Sequence, residues 1–162
     1  MTLAELEEEI SIELELMGAI VREAISLLND LEGREPTVRE RTAAGAFLAQ
    51  FYGGIENILK RVHRYHNIPM PSGDSWHAQV FKRYCAPSFP PLPVLFDEQL
   101  STDLAPYRKF RHVVYHGYGF QFDWERMQGG LSAIDNVFGR FTAAITDYVA
   151  DIKNKISIDR GF

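Results

Sequence analysis

Residues 38–64 read VRERTAAGAFLAQFYGGIENILKRVHR, and their pattern indicates a helical fold. Its apolar residues recur every three or four positions, which is the spacing of one face of an α-helix. They are Ala44, Phe47, Leu48, Phe51, Ile55, Ile58, Leu59 and Val62. Thr37 and Glu40 fit a capping box that would start this helix. Gly53 and Gly54 each cost a helix about 1 kcal/mol relative to alanine, so we expect the pair at a close helix crossing.

The segments at the two ends of the chain have the same helical spacing. Residues 3–31 carry leucine, isoleucine, valine and methionine on one face, with glutamates mostly between them. Gly33 follows this segment and is a suitable C-terminal stop. Large apolar side chains again follow steps of three and four from residue 123 to residue 155. We therefore predict a long first helix and a long last helix.

The segment after the second helix predicts a loop, a short helix and an extended connection. Residues 67–74, NIPMPSGD, have the composition of a loop, and Asp74 or Ser75 would serve as the N-cap of a helix over residues 76–84. Residues 85–93 contain four prolines, which excludes a helix there. This connection is too short for a disordered linker, so we expect it to lie across the core.

A fourth helix is predicted from residue 96 or 97 to residue 115 or 116, and Gly117 would end it. Pro106 lies inside this segment. Proline lacks the backbone N–H that a helix interior uses, so we expect a kink or a break near Ala105.

These segments define an all-α fold with four long helices and one short helix, arranged as an up-and-down bundle. Strand patterns are nearly absent, and the sequence has no internal repeat. A chain of 162 residues is long enough to bury a core without disulfides or a structural metal. We therefore interpret residues 1–162 as a single helical domain.

The formal net charge of −5 argues at first against a partner that carries phosphates. The charge is unevenly distributed, however. Residues 1–40 contain 11 acidic and 3 basic side chains, whereas residues 41–116 contain 9 basic and 5 acidic ones. The middle of the chain is therefore basic, and a phosphate-binding surface remains compatible with the composition.

Composition also bears on the compartment. Cys85 is the only cysteine, which excludes an internal disulfide and suits a reducing cytoplasm. No apolar run approaches the roughly 20 residues of a membrane span. The sequence begins MTLAELEEEI, which is acidic where a signal peptide is basic. We therefore expect a cytoplasmic protein with no membrane partner.

Residues 107–124, YRKFRHVVYHGYGFQFDW, concentrate side chains suited to phosphodiester chemistry. They include Arg108, Lys109, Arg111, His112, Tyr115, His116 and Tyr118. Cleavage of a phosphodiester needs a proton acceptor, a proton donor and a cation that stabilises the negative charge of the pentacovalent phosphorane. Histidine and arginine supply these roles, and RNA supplies its own 2′-hydroxyl nucleophile, so no metal or other cofactor is required.

Helical geometry constrains which of these side chains can cooperate. Arg111 and His116 are separated by about 140° on a regular helix, so His116 would approach Arg111 only where the helix unwinds before Gly117. His112 and His116 share a face because they are four residues apart. In the alternative interpretation, Arg111 pairs with an acid, Tyr115 packs, and the histidines fill a polar seam.

The motif formed by Arg111, His116 and Tyr118 resembles the Arg-x4-His-x-Tyr signature of HEPN-domain ribonucleases, in particular the HepT-like toxins. In that family the position after the arginine is usually polar, and here it is His112. FYGGIENILKRV at residues 51–62 resembles the second helix of the family, and DSWHAQV at residues 74–80 resembles its short third helix. The similarity covers roughly residues 40–127 in the order that the family has.

The resemblance implies a metal-independent endoribonuclease toxin with a HEPN-like bundle. Arg111 and His116 would be the catalytic pair, His112 would support them, and Glu56 would approach the site. The resemblance further implies a homodimer whose cleft binds the RNA substrate. It also implies a minimal nucleotidyltransferase antitoxin that transfers AMP onto Tyr118.

Three alternatives stay open. In the first, the protein is a noncatalytic HEPN subunit that binds nucleotides or a nucleotidyltransferase. In the second, zinc is held by His112 and His116, or by His63 and His66, although the latter pair is typical of a solvated helix end. In the third, Cys85 is a nucleophile, although no activating base is marked near it. Trp76 and His77 are interpreted only as packing residues.

Overall fold

The computed structural model describes residues 1–118, 122–159 and 161. These residues form five helices and no named strand. The helices are α1 (Leu3–Leu31), α2 (Val38–Tyr65), α3 (Trp76–Arg83), α4 (Glu98–His116) and α5 (Trp124–Asp159). The prediction of an all-α fold with four long helices and a short one is confirmed. The assignment of residues 1–162 to a single domain stays a prediction.

Helix α2 is the central element and packs against α1, α4 and α5. Its predicted capping box is present: the Thr37 hydroxyl accepts from the Glu40 backbone N–H, and the Glu40 carboxylate accepts from the Thr37 N–H. Phe51 of α2 contacts Tyr107 of α4 and Phe138 of α5 edge to face. This packing holds the C-terminal half of α4 close to α2.

The glycine pair of α2 is explained only in part by helix crossing. A Cβ atom on Gly54 would overlap the side chain of Met17 on α1, so the predicted close approach is confirmed there. A Cβ atom on Gly53 would meet no other part of the protein within 4 Å, so the prediction is wrong for Gly53. The two neighbours point in different directions around the helix, which is why only one of them meets α1.

Of the kink or break expected near Ala105, the break is wrong, because α4 runs from Glu98 to His116 with Pro106 inside it. The kink stays a prediction. Proline removes a single backbone donor, and the buried side chains of Leu104 and Tyr107 anchor the helix on both sides of it. The Tyr107 hydroxyl also donates to the carbonyl of Gly130 on α5 at 2.7 Å. Tertiary packing therefore outweighs the local cost of the proline.

The short helix and the proline-rich connection after it fit the prediction. Helix α3 begins after Ser75, but the Ser75 hydroxyl accepts from the side chain of Gln79 and makes no N-terminal cap bond. Leu92 within the connection, and Leu95 and Phe96 after it, are buried in the core. Among the described residues, no helix is both long enough and apolar enough to cross a membrane.

Candidate active-site cleft between α3 and α4

A cleft of about 910 Å³ lies between the start of α3 and the C-terminal half of α4. Trp76 and His77 line it from α3. The charged side chains that line it, within the described part of the chain, are mainly cationic: Arg108, Lys109, Arg111 and Arg126, against the single carboxylate of Asp74. The cleft therefore combines a positive potential with titratable rings, which suits a phosphate-bearing ligand.

A second cleft, of about 950 Å³, lies between α4 and α5 and differs in chemistry. Much of its lining is apolar, including Phe110, Val114, Phe122 and Val137. No histidine lines it among the residues that the structure describes. The cleft between α3 and α4 is therefore the better candidate for proton-transfer chemistry.

The structure brings Arg111, His112 and His116 together along the α4 side of the cleft. The rings of His112 and His116 lie with their centroids 4.6 Å apart, as their spacing on one helical face predicts. His116 is the last residue of α4, and Gly117 follows it in an extended conformation. Tyr118 lies just beyond the helix, and 68% of its surface is exposed.

Arg111 is held on several sides. Its Nε lies 3.0 Å from Oε1 of Glu56, and its Nη1 lies 3.3 Å from Nε2 of His77. Its Cζ lies 4.7 Å from the centre of the Tyr115 ring, in the geometry of a cation–π contact. Arg111 therefore does pair with an acid, as the alternative interpretation expected. The side chain nevertheless remains 25% exposed and lines the cleft.

Glu56 is a buried carboxylate whose side chain is only 2% exposed. Each of its two oxygens contacts a different residue of the cleft: Oε1 lies against Arg111, and Oε2 contacts Nδ1 of His77. A buried carboxylate is costly to desolvate unless charged or donating groups surround it. Glu56 therefore joins α2, α3 and α4 at one polar cluster.

His77 is a residue of the candidate site that the sequence patterns did not predict. Interpreting His77 as a packing residue is wrong in part, since its ring does stack beside Trp76 but its nitrogens contact Glu56 and Arg111. A signal was present in the sequence. Glu56 lies four residues after Tyr52 and three before Leu59, both fully buried, so it belongs to the apolar side of α2 and requires polar partners.

The interpretation of His63 as part of a solvated helix end is also wrong. Its side chain is only 1% exposed, its Nδ1 lies 2.7 Å from the Tyr84 hydroxyl and 3.0 Å from the carbonyl of Leu59, and burial lowers its pKa. His66 is partly buried and contacts the Tyr148 hydroxyl at 2.7 Å. In the described residues, no group of three or more His, Cys, Asp or Glu side chains is arranged to hold a metal ion.

Cys85 lies outside the residues that line this cleft. Its thiol is half-buried and lies 3.4 Å from the carbonyl of Phe81 and 3.6 Å from the hydroxyl of Ser101. Neither group is a base that could activate the thiol. Cys85 is therefore a packing residue at the end of α3.

Comparison with known proteins supports the resemblance seen in the motif. The family described as HepT-like protein matches residues 43–152, which is more than half of the chain and includes Glu56, His77, Arg111 and His116. No curated protein and no solved structure matches the chain. The predicted resemblance is thereby confirmed: the chain belongs to the HepT-like family.

Proposed function

We propose that the protein is the ribonuclease toxin of a toxin–antitoxin pair and that it cleaves RNA without a metal ion. One observation carries the proposal: Arg111, His112 and His116 line a single cleft whose charged groups are mostly cationic. The membership of the HepT-like family supports the same function. The catalytic roles of Arg111 and His116, and the supporting role of His112, follow from their chemistry.

In the proposed reaction, the 2′-oxygen of a ribose attacks the adjacent phosphorus, and the bond from phosphorus to the 5′-oxygen breaks. A histidine of the cleft takes the proton of the 2′-hydroxyl, and a protonated histidine gives a proton to the leaving 5′-oxygen. The products are a 2′,3′-cyclic phosphate and a 5′-hydroxyl. Arg111 stabilises the charge that grows on the equatorial phosphate oxygens.

Two protomers would place two copies of this cleft around one RNA strand, and we include a homodimer in the proposal. Doubling the cations of the cleft strengthens the attraction for phosphates and makes binding dependent on salt. The acidic residues of α1, such as Glu7 and Glu8, lie on another part of the fold and need not oppose RNA.

The proposal also includes silencing by a nucleotidyltransferase antitoxin that attaches AMP to Tyr118. The phenol of Tyr118 follows the motif helix and is exposed, so a second protein could reach it. AMP attached there brings a negative phosphate next to the basic cleft, where it would compete with RNA for Arg111.

The test of cleavage is incubation of RNA with the purified protein in excess EDTA. We expect the wild type to cleave and Arg111→Ala or His116→Ala to lose about 100-fold or more of the rate. Arg140→Ala and His66→Ala are matched controls because Arg140 pairs with Asp103 and His66 with Tyr148, outside the cleft. RNA left intact by the wild type would refute the nuclease and favour the noncatalytic alternative.

The test of silencing first asks whether a gene for a minimal nucleotidyltransferase adjoins the gene of this protein. That enzyme is then incubated with the protein and ATP, and the tryptic peptides are analysed by mass spectrometry. We expect the mass of AMP on Tyr118. Tyr118→Phe should abolish the label and Tyr115→Phe should keep it, since the two phenols have nearly equal exposure, 68% and 66%. A label that persists in Tyr118→Phe would overturn the assignment of the residue.

A further inference from the structure

A third histidine, His77, is placed to act on the arginine of the cleft. It comes from α3, 34 residues before Arg111 in the sequence, and lines the same cleft. Its Nδ1 contacts the buried Glu56 carboxylate, and its Nε2 lies 3.3 Å from Nη1 of Arg111. The imidazole is thus the link between a buried acid and a cation at the cleft surface.

The contacts determine which nitrogen of the neutral ring carries the proton. A guanidinium nitrogen can only donate, so Nε2 of His77 must accept from Arg111. The proton then resides on Nδ1, where it is donated to Oε2 of Glu56. A carboxylate that orients an imidazole through Nδ1–H fixes both the tautomer and the plane of the ring.

The ring is also held by its neighbours. The indole of Trp76 lies 3.6 Å from the His77 ring, centroid to centroid, at an interplanar angle of 31°. The amine of Lys60 on α2 lies 4.9 Å from the Trp76 ring. With Glu56 of α2 on one nitrogen and Trp76 of α3 beside the ring, the direction of Nε2 is determined by two helices.

We propose that His77, oriented by Glu56, is a positioning residue that holds the Arg111 guanidinium ready for a phosphate. This inference rests on the proposed ribonuclease function of the cleft. Glu56 lies at ion-pair distance from Nε of Arg111 and His77 contacts Nη1, so Nη2 is engaged by neither of them and can meet a phosphate oxygen. A 3.3 Å contact is at the long end of hydrogen bonds, so a phosphate oxygen can also take Nη1 from His77.

The exposed fractions of its side chains distinguish the cluster of Glu56, His77 and Arg111 from a purely structural one. The side chains of His77 and Arg111 are 28% and 25% exposed on the cleft, whereas Glu56 beneath them is buried. If the cluster served only to attach α3 to the bundle, its guanidinium would not need to be exposed to the cleft. Loss of His77 should therefore lower the rate of cleavage in protein that remains folded.

The first test is spectroscopic and needs no activity. Nitrogen-15 NMR of the wild type should show His77 as the Nδ1–H tautomer. His77→Phe, which keeps a ring but lacks both nitrogens, should shift the Nε–H resonance of Arg111, and His66→Phe should leave it in place. A proton found on Nε2 of His77, or an Arg111 resonance indifferent to His77→Phe, would overturn the proposal.

The second test is kinetic. His77→Phe should lower kcat for RNA about tenfold or more with KM changed by less than about threefold, since orientation of Arg111 matters most in the transition state. His77→Gln, whose amide oxygen can accept from Arg111, should recover part of the loss. His66→Phe is the matched control and should cleave at nearly the wild-type rate.

The two tests separate the inference from the function on which it rests. If the wild type cleaves RNA and His77→Phe keeps the wild-type kcat, the positioning role is wrong and the ribonuclease stands. If the wild type does not cleave RNA, the proposed function fails, and the NMR result alone decides whether His77 orients Arg111. His77→Gln and the wild-type spectrum remain informative if His77→Phe does not fold.

Discussion

His63 and His77 are two histidines with nearly the same hydrogen-bonding pattern and different surroundings. In each, Nε2 lies 3.3 Å from an arginine Nη1, that of Arg83 for His63 and that of Arg111 for His77. In each, the neutral ring therefore carries its proton on Nδ1. The Nδ1 partners differ: His63 faces a carbonyl and a tyrosine hydroxyl, whereas His77 faces a carboxylate.

The two environments distinguish a histidine sealed in the core from one that faces the candidate cleft. The partners of His63 at Nδ1 are neutral and its ring is sealed in the core, so a charge on the ring is opposed by burial. His77 has a negative partner and opens on a cleft lined mainly by cations. The cluster around His63 can only stabilise the fold, whereas the cluster around His77 can also contact a ligand.

Glu56→Ala should have the largest effect on stability. It leaves Arg111 and His77 without their buried carboxylate, and removal of one partner of a buried ion pair costs about 3 kcal/mol or more. We therefore expect the free energy of unfolding, measured with guanidinium chloride, to fall by about 3 kcal/mol. RNA cleavage by the folded fraction should fall as well, by about tenfold or more.

Glu13→Ala is the matched control for that change. Glu13 is also nearly buried, pairs with Arg61 at 3.1 Å and accepts from Asn57 at 3.1 Å, on the α1–α2 contact. It should destabilise the fold without changing the activity of folded protein. Equal activity in the two folded variants would mean that the Glu56 cluster is no more functional than the Glu13 cluster.

Tyr84→Phe should have the next largest effect, and it acts on the other histidine. The Tyr84 hydroxyl lies 3.0 Å from the carbonyl of Leu59 and 2.7 Å from Nδ1 of His63, all buried. Deleting it leaves buried polar groups with fewer partners, which costs about 2 kcal/mol. Guanidinium unfolding should show that loss, while the cleavage rate of folded protein stays unchanged. A matching loss of activity would remove the contrast between the two clusters.

Acidification should weaken the fold through His63. Burial lowers the pKa of His63 below the ordinary histidine value of about 6.5, so the unfolded chain takes up the proton more readily than the native one. The contribution of His63 to the free energy of unfolding is therefore fully present above a pH of about 6.5. It falls as the pH decreases below that value, by at most about 1.4 kcal/mol per pH unit for one proton.

The measurement is guanidinium unfolding at a pH of about 7.5 and of about 5.5, for the wild type and for His63→Gln. The variant should show the smaller loss on acidification because it lacks the titrating ring. Burial also lowers the pKa of His66, so both proteins keep a residual dependence of the free energy of unfolding on pH. An identical pH dependence of the two proteins would contradict the assignment to His63.

The contrast between His63 and His77 also shows how far sequence patterns reach in this protein. Periodicity and capping signals predict the five helices because they depend on neighbours three or four residues apart. The contacts of Glu56 with His77 and Arg111 join residues 21 and 55 positions away, on two other helices. The local motif predicts Arg111 and His116 as site residues, but only packing shows that His77 contacts Arg111 and that His63 contacts Arg83 instead.

Tyr115→Leu should have the smallest effect, and it tests whether Arg111 depends on more than Glu56 and His77. The Tyr115 ring lies under the Arg111 guanidinium and is 66% exposed, so its cation–π contact is worth only about 0.5–1 kcal/mol. RNA cleavage should fall by about two- to fivefold, and Tyr115→Phe should restore it, because the contact needs the ring and not the hydroxyl. A loss as large as that of His77→Phe would mean that the exposed Tyr115 ring, and not the buried Glu56, orients Arg111.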